Sequence, residues 1–581
     1  MGGHGWHTLS TAGGNVVSKA DAMSLTSLGL KNSTVKGGAP KARVVAYKVL
    51  WPEATAGGFG EGNVMDCLAG VEAAISDGVD IINLSLGPIV AHSGDDEDFY
   101  LGDAFSIAAF HAMANGILVV AAAGNDGPTP GCVTHVAPWT LTVGAGTIGR
   151  EFICDIILGN KQKIRAARFL NGNDTDINDT SFYPLITGAD ARRGTTDLTS
   201  ASQCNALTLN PTKVRGKILV CMVEDPSSIK EKDDKNIAAR KAGALGLIIA
   251  TKTAGTERLK DMMHPLATAQ INYKDTQLLL SYINSTRDPT AQITKARTEM
   301  GIKPAPVIPD FSSRGPNVIT PDILKPDVIA PGVSIFAAYT EAKTVFLPDK
   351  FLPLSGTSMS APHIAGVAAL LRKLHPQWSI SAIKSAIMTT ARAVDNNENP
   401  IRTDDMVNGA TPFGYGSGLV QPNLAMDPGL VYDLNLSDYL NFLCAHHYNS
   451  SSLKLFTKQH NYTCPESFSL LDFNYPSITI AEFSGAATAT RKLKNVGESG
   501  TYTARVEAPH GVSIVVEPKT LVFSRKDQEI GFKLIFTGNV SHLPRDYSFG
   551  SLVWSDGKHI VRSPITVKGK SSDGKAPSKA P

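Results

Sequence analysis

The chain has 581 residues, of which 42% are hydrophobic and 19% are charged, a composition typical of a globular protein with several domains. Its net charge of +2 gives no electrostatic case for binding nucleic acid or a polyanionic surface. No apolar run approaches the roughly 18 residues of a membrane-spanning helix, so we expect no contact with a membrane interior.

Residues 42–145 alternate the signals of strands and helices. The helix predicted over residues 103–116 has Asp103 as its N-cap and Asn115-Gly116 as its stop. This alternation predicts a parallel sheet with helices on both faces, whose ligand crevice lies at the carboxyl ends of the strands. The other elements predicted here are strands at residues 42–50, 79–87, 117–125 and 139–146, and a helix at residues 66–78.

A different pattern of short strands and one charged helical stretch occupies residues 155–295. The first pattern then resumes with a long apolar helix over residues 357–374 and a further helix capped by Ser379 or Ser381. We therefore interpret the middle unit as an insertion into a surface loop of a single α/β domain.

The last part of the chain, residues 470–568, has the short alternating strands of an all-β domain. Asp556-Gly557 is a hairpin signal between two such strands. The pattern predicts a β-sandwich of about 100 residues. The tail over residues 569–581 has nothing to bury and is expected to be disordered.

Ser358, in the stretch LSGTSMSAPHIAG, is the candidate nucleophile. It follows Gly-Thr at the predicted start of a long apolar helix, where the helix N-terminus favours developing negative charge. A plain N-cap serine is the alternative, and the pattern alone leaves both open. The Gly-x-Ser-x-Gly elbow is excluded because Ser360 occupies its second glycine position. Met359 is expected to expose its thioether to oxidants.

Two further polar residues extend this pattern towards a hydrolytic site. Asn125 follows a buried strand and Gly124, and its amide can donate to an oxyanion, although an Asn-Asp-Gly turn is the commoner alternative. His4 can take the serine proton and return it to a leaving amine. The alternatives are a terminal histidine without a role or a metal pair with His7, for which no third ligand is evident.

Three stretches carry a resemblance to a known family. GHGWHTLSTAGG, AAAGNDGP and GTSMSAPHIAGVAALL resemble the histidine, asparagine and serine motifs of the subtilisin-like serine proteases, and most of the chain is similar to plant subtilases. The resemblance implies an α/β fold with a subtilisin-like parallel sheet, an inserted protease-associated (PA) domain and a C-terminal fibronectin-III-like β-sandwich. The implied domains are residues 1–150 and 296–430 for the two catalytic parts, 155–295 for the PA domain and 470–568 for the sandwich.

The resemblance also implies roles for individual residues of a serine endopeptidase acting on protein or peptide substrates. His4 corresponds to the general base, Ser358 to the nucleophile and Asn125 to the oxyanion donor. The substrate backbone is expected to pair, as an added strand, with Ser85, Leu86 and Gly87, with Gly124 nearby. We expect no cofactor and no required metal, because no Asp-x-Asp-x-Asp calcium loop is evident.

One member of the family's Asp-His-Ser triad has no counterpart. The aspartate is expected in an Asp-Ser/Thr-Gly strand end before the histidine, and only three residues precede His4. The sequence therefore predicts that this chain lacks the aspartate, without which the imidazole loses control of its tautomer and activity is expected to fall by orders of magnitude. A non-catalytic, protein-binding remnant is the alternative function.

Other features favour an extracellular origin, although the first residues do not form a signal peptide. Nine Asn-x-Ser/Thr sequons are present, of which Asn83 lies in a strand-like run and is expected to occur by chance. The seven cysteines are an odd number for a disulfide framework, so at least one is expected to lack a partner within the chain. We expect a full-length parent to be secreted to the cell wall space.

Overall fold

Four parallel strands form a sheet at the centre of the first domain, here called the central sheet. In spatial order these strands are Ile81–Leu84, Leu118–Ala122, Thr140–Gly146 and Val328–Pro331. Every residue of the two middle strands is buried. Because successive side chains point to opposite faces of a sheet, this sheet is covered on both faces.

The coordinates are those of a computed structural model. They describe residues 3–17, 34–51, 62–87, 99–169, 178, 180–224, 229–252, 266–340, 351–406, 408–457, 462–540 and 543–570.

The helices that cover the central sheet begin where the sequence predicts. The Asp103 side chain accepts hydrogen bonds from the Phe105 and Ser106 backbone N–H groups, which starts the helix Ala104–Ala114. Of the two serines considered as the later cap, Ser379 is the one that caps Ile380–Thr389. Thr357–Leu374, here called the serine helix, packs across all four strands. His4–Gly13, here called the histidine helix, packs on the serine helix.

The helical segments of the described residues number fifteen and are mostly short. They are His4–Gly13, Val64–Ser76, Phe99–Gly102, Ala104–Ala114, Leu198–Ser202, Pro211–Val214, Ile229–Lys241, Tyr273–Ser285, Thr357–Leu374, Ile380–Thr389, Pro412–Tyr415, Pro422–Ala425, Leu436–Ala445, Ser450–Leu453 and the 3₁₀ turn Leu470–Asp472. None of these helices combines the length and the apolar character needed to cross a membrane.

An eight-stranded sheet occupies residues 150–300, the region in which the sequence predicts an insertion. The strand Thr290–Ile293 pairs with Tyr183–Thr187 on one side and with Arg150–Leu158 on the other, so the sheet closes on itself. The remaining strands are Lys163–Phe169, Ile218–Val223, Gly246–Thr251, Ala267–Ile271 and Arg297–Met300. Two apolar clusters of its own pack this unit internally.

Two further sheets form the C-terminal domain. One contains Leu430–Val431, Ala486–Asn495, Glu529–Gly538 and Val512–Glu517; the other contains Ile478–Phe483, Ile560–Gly569, Ser548–Ser555, Gly500–Glu507 and Thr520–Phe523. The residues that face inward, including Phe532 and Trp554, form one buried cluster. The predicted Asp556-Gly557 turn joins two antiparallel strands. Two short pairs complete the strands: Val307–Ile308 with Arg402–Thr403, and Ile335–Ala338 with Phe351–Leu354.

The strand predicted at residues 42–50 is wrong. These residues form no ladder, and Val44 and Val45 are about half exposed. The apolar run has the composition of a buried strand, but a strand also needs a neighbour that accepts its hydrogen bonds. The described part of the chain brings no such neighbour beside it, and Ile81–Leu84 is the edge strand of the central sheet.

The cysteines divide into two disulfides and three buried thiols. Cys204 pairs with Cys221 and Cys444 pairs with Cys464. The remaining three, Cys67, Cys132 and Cys154, are buried and form no disulfide with a described cysteine. Cys132 Sγ accepts a hydrogen bond from the Arg314 backbone N–H over 3.2 Å. The odd count therefore reflects three buried thiols.

A buried charged cluster joins the first domain to the start of the C-terminal domain. Lys325 Nζ donates to Asp327 Oδ2 over 2.8 Å, and Tyr475 donates to the other oxygen of the same carboxylate. Lys384 Nζ donates to the Tyr475 hydroxyl over 2.7 Å. Burial alone would raise the pKa of Asp327, but the two ammonium groups hold that pKa below its usual value. This carboxylate is therefore the counter-charge for two buried lysines.

We predict that Asp327→Asn lowers the free energy of unfolding by about 3–5 kcal/mol, because it leaves buried ammonium groups without a counter-charge. The measurement is urea unfolding followed by near-ultraviolet circular dichroism. Glu529→Gln, which breaks the exposed pair with Lys492, is the control and should change little. An unchanged midpoint for Asp327→Asn would contradict the assigned role.

Candidate active site

Ser358 lies at the second position of the serine helix, at the carboxyl ends of the central strands. The N-cap of this helix is Gly356, so Ser358 is not the capping serine that the sequence left open. Ser358 Oγ donates to the backbone oxygen of Ser85 over 3.3 Å, and Ser85 Oγ donates to the backbone oxygen of Ser358 over 2.8 Å. The half-buried hydroxyl therefore sits at a helix N-terminus, whose dipole favours an adjacent negative charge.

Asn125 is held beside this serine in one orientation. Its Oδ1 accepts hydrogen bonds from the backbone N–H and the hydroxyl of Thr357, over 2.9 and 3.0 Å. Because two donors identify this atom as the oxygen, the amide nitrogen is directed away from Thr357. A Cβ built on Gly356 would lie 3.7 Å from that oxygen and 3.8 Å from the amide nitrogen. The Asn125 side chain therefore packs against Gly356 and Thr357, the two residues that precede Ser358.

The histidine helix and the serine helix cross at backbone contact distance. A Cβ built on Gly366 would lie 2.9 Å from the backbone oxygen of Ala12 and 3.0 Å from the Cα of Gly38. Only glycine fits such an approach without displacement of a neighbour. Gly366 therefore fixes how closely the two helices pack.

The second histidine of the His-x-x-His pair supports the fold rather than the chemistry. His7 Nε2 donates to the backbone oxygens of Ile335 and Leu352, over 2.8 and 3.1 Å. Burial, together with repulsion from His4 and His363, lowers the pKa of His7 to about 4. His7 Nε2 is thus already bound to two backbone carbonyls, and the described residues contain no group of three or more potential metal ligands.

His4 and Ser358 lie in the first turns of the histidine helix and the serine helix. The two helices meet where Ala12 lies against Gly366. His4 precedes Ala12 by eight residues, and Ser358 precedes Gly366 by eight residues, a rise of about 12 Å along either axis. Burial lowers the pKa of His4, which favours the neutral imidazole needed by a base.

The predicted substrate-binding residues lie at the ends of two neighbouring central strands. Ser85, Leu86 and Gly87 directly follow Ile81–Leu84, and Ser85 contacts Ser358 as described. Gly124 follows the next strand, has a φ of 101° and accepts a hydrogen bond from the Thr357 hydroxyl. The structure thus brings both segments to the nucleophile.

The structure shows two positioning residues, Thr357 and Ser313, that the sequence does not predict. It also places Met359 differently from the sequence-based expectation. Thr357, which orients Asn125 by donating to its Oδ1, belongs to the serine motif, but the motif alone does not indicate this contact. Ser313 supports the Asn125 turn, because its hydroxyl accepts from the Asp126 N–H and its own N–H donates to Gly124. No sequence signal links Ser313 to that turn. Met359 is 2% exposed, so the expectation of an exposed thioether is wrong.

The chain matches two known families. The family described as "Subtilase family" matches residues 1–418, and the one described as "Fibronectin type-III domain" matches residues 472–567.

Similar relatives come from plants. Subtilisin-like protease SBT5.4 of Arabidopsis thaliana is 46% identical, over 97% of this chain and 70% of the relative. Subtilisin-like protease Glyma18g48580 of Glycine max is 43% identical, over 97% of this chain and 72% of the relative. The CO(2)-response secreted protease of Arabidopsis thaliana is 39% identical, over 98% of this chain and 73% of the relative.

We predict that His7→Asn reduces the loss of stability on mild acidification. In the wild type, the unfolded chain takes up a proton on His7 near pH 6.5 while the folded state resists until about pH 4. Stability is therefore complete above about pH 6.5 and falls as the pH drops towards 4. Urea midpoints measured between pH 7.5 and 4.5 should show a shallower slope for His7→Asn. His510→Asn, at an exposed position, is the control for the loss of one histidine. Equal slopes of urea midpoint against pH for wild type, His7→Asn and His510→Asn would refute the prediction.

Proposed function

Because the chain belongs to the subtilase family, whose named relatives are subtilisin-like serine proteases, we propose that it is an endopeptidase that hydrolyses peptide bonds through Ser358. The observation that supports the proposal is the pair of hydrogen bonds from Thr357 to Asn125 Oδ1, which holds the Asn125 side chain against the first turn of the helix that carries Ser358.

In the proposed reaction each of three groups takes one role. Ser358 Oγ attacks the substrate carbonyl carbon while the neutral His4 imidazole takes the hydroxyl proton. The carbonyl oxygen becomes an oxyanion, to which the Asn125 amide donates. When the C–N bond breaks, the proton on His4 passes to the leaving amine and an acyl-Ser358 ester remains. A water molecule, deprotonated by His4, then hydrolyses this ester and restores Ser358.

Substrates of this site are proteins or peptides in an extended conformation. Ser85 to Gly87 continue the edge strand of the central sheet among the described residues, and an edge offers unpaired backbone groups to an added strand. A substrate strand paired there passes Ser358, since the Ser85 backbone oxygen already contacts that hydroxyl.

We also propose that the protein is a secreted glycoprotein. Asn178, Asn284, Asn435, Asn449 and Asn539 carry sequons and are exposed, as glycan attachment requires. Asn83 lies half-buried in a central strand, in keeping with a chance match; Asn32, Asn173 and Asn461 lie outside the described residues. Two disulfides and a relative named as a secreted protease support the same compartment.

The closed sheet at residues 150–300 is proposed as the PA domain. It has its own apolar clusters and divides the catalytic domain in sequence. The limits of 155–295 that the sequence assigns to this domain remain a prediction.

We predict that Ser358→Ala abolishes hydrolysis of a fluorogenic casein substrate and that Asn125→Leu lowers kcat by about 100- to 1000-fold, with little change in KM. Ser360→Ala, in the same motif, is the matched control and should retain activity. Wild-type protein without Ser358-dependent hydrolysis but with retained peptide binding would instead support the non-catalytic alternative.

The pH dependence gives an independent prediction for His4. Because burial lowers the pKa of His4, the neutral imidazole persists at pH values below 6.5, the ordinary pKa of histidine. The acid limb of kcat/KM, which reports the free enzyme, should therefore lie below pH 6.5. Initial rates at low substrate concentration between pH 4 and 8 provide the measurement, and an acid limb above pH 6.5 would contradict the assignment.

A further inference from the structure

His135 is a buried imidazole wedged between the two strand ends that flank the nucleophile. A Cβ built on Gly87 would lie only 2.5 Å from His135 Cε1. On the other side, His135 Nδ1 donates to the backbone oxygen of Ala122 over 3.1 Å, the last residue of the neighbouring strand. The ring therefore fills the space between the carboxyl ends of two central strands.

The backbone holds this ring in a sparsely populated conformation. His135 has a φ of 54°, in the left-handed region that few residues other than glycine adopt. The Thr134 N–H donates to Ala123, and the Thr142 hydroxyl donates to the His135 backbone oxygen over 2.6 Å. Phe105 packs its ring edgewise at 5.7 Å. A strained backbone maintained by several contacts is a reason to look for a function.

Thr134 and His135 together contact both of the segments that we propose to bind substrate. Thr134 Oγ1 lies 3.3 Å from a Cβ built on Gly124, and His135 lies against Gly87. These two consecutive residues therefore span the gap between the two glycines. A substrate side chain that enters between the two strand ends beside Ser358 meets this pair.

We propose that His135 is a specificity-determining residue that limits the depth of the cleft for the substrate side chain on the acyl side of the scissile bond. The ring occupies volume that a large side chain needs, so the site favours small side chains over aromatic ones at that position. The inference rests on the proposed function, because it assumes that peptides bind across Ser358.

The test uses three peptides that differ only in the residue on the acyl side of the cleaved bond, which is Ala, Leu or Phe. His135→Asn is the informative variant, because Asn is smaller, tolerates a positive φ and can still donate to Ala122. The kcat/KM ratio of the Phe to the Ala peptide should rise about 10-fold, within the range by which pocket volume discriminates. His510→Asn is the control.

This ratio separates specificity from stability. If a substitution only lowers the fraction of folded protein, the rates on all three peptides fall by the same factor. The kcat/KM ratio of the Phe to the Ala peptide then stays at the wild-type value. An unchanged ratio for His135→Asn would overturn the inference.

A second readout separates the inference from the proposed function. If wild-type protein cleaves no peptide, the proposed function fails, and the dissociation constants of the same peptides are compared between wild type and His135→Asn. A shift of the Phe-to-Ala ratio in favour of Phe then still supports the role of His135. An unchanged ratio, or no binding, overturns it.

Discussion

The contact between the serine helix and the histidine helix at Gly366 is the constraint on which the candidate site depends. The two backbones meet at distances that exclude even a methyl group. Since the serine helix also packs across all four central strands, it cannot shift without disturbing the core of the domain. The crossing therefore fixes both the helix that carries His4 and the helix that carries Ser358 relative to the sheet.

The chemistry is assembled from elements that are far apart in sequence. Asn125 ends one central strand, Ser85 follows another, and both reach the first turn of the serine helix. Parallel strands bring these segments together because their carboxyl ends share one edge of the sheet. His7 adds a polar anchor by donating to two backbone oxygens of the strand pair beneath its helix. The pair His-x-x-His thus contains one residue that we propose as the base and one that anchors the helix.

Much of this arrangement could be predicted from the sequence. Helix starts at Asp103 and Ser379 follow from short-range capping, and buried parallel strands follow from their apolar runs. Long-range contacts carry no such signal: nothing near His135 or Ser313 in sequence indicates the strand ends that they support. The run at residues 42–50 fails for a related reason, because composition predicts a strand but only a neighbouring strand can complete it.

The most direct test of the central claim is labelling with a fluorophosphonate, which reacts with an activated serine hydroxyl, followed by peptide mass spectrometry. The account predicts one labelled site at Ser358, with labelling strongly slowed by His4→Ala and unaffected by Ser360→Ala. Absence of label on Ser358 in correctly folded protein, or labelling at the same rate in His4→Ala, would show that the crossed helices do not build an active nucleophile.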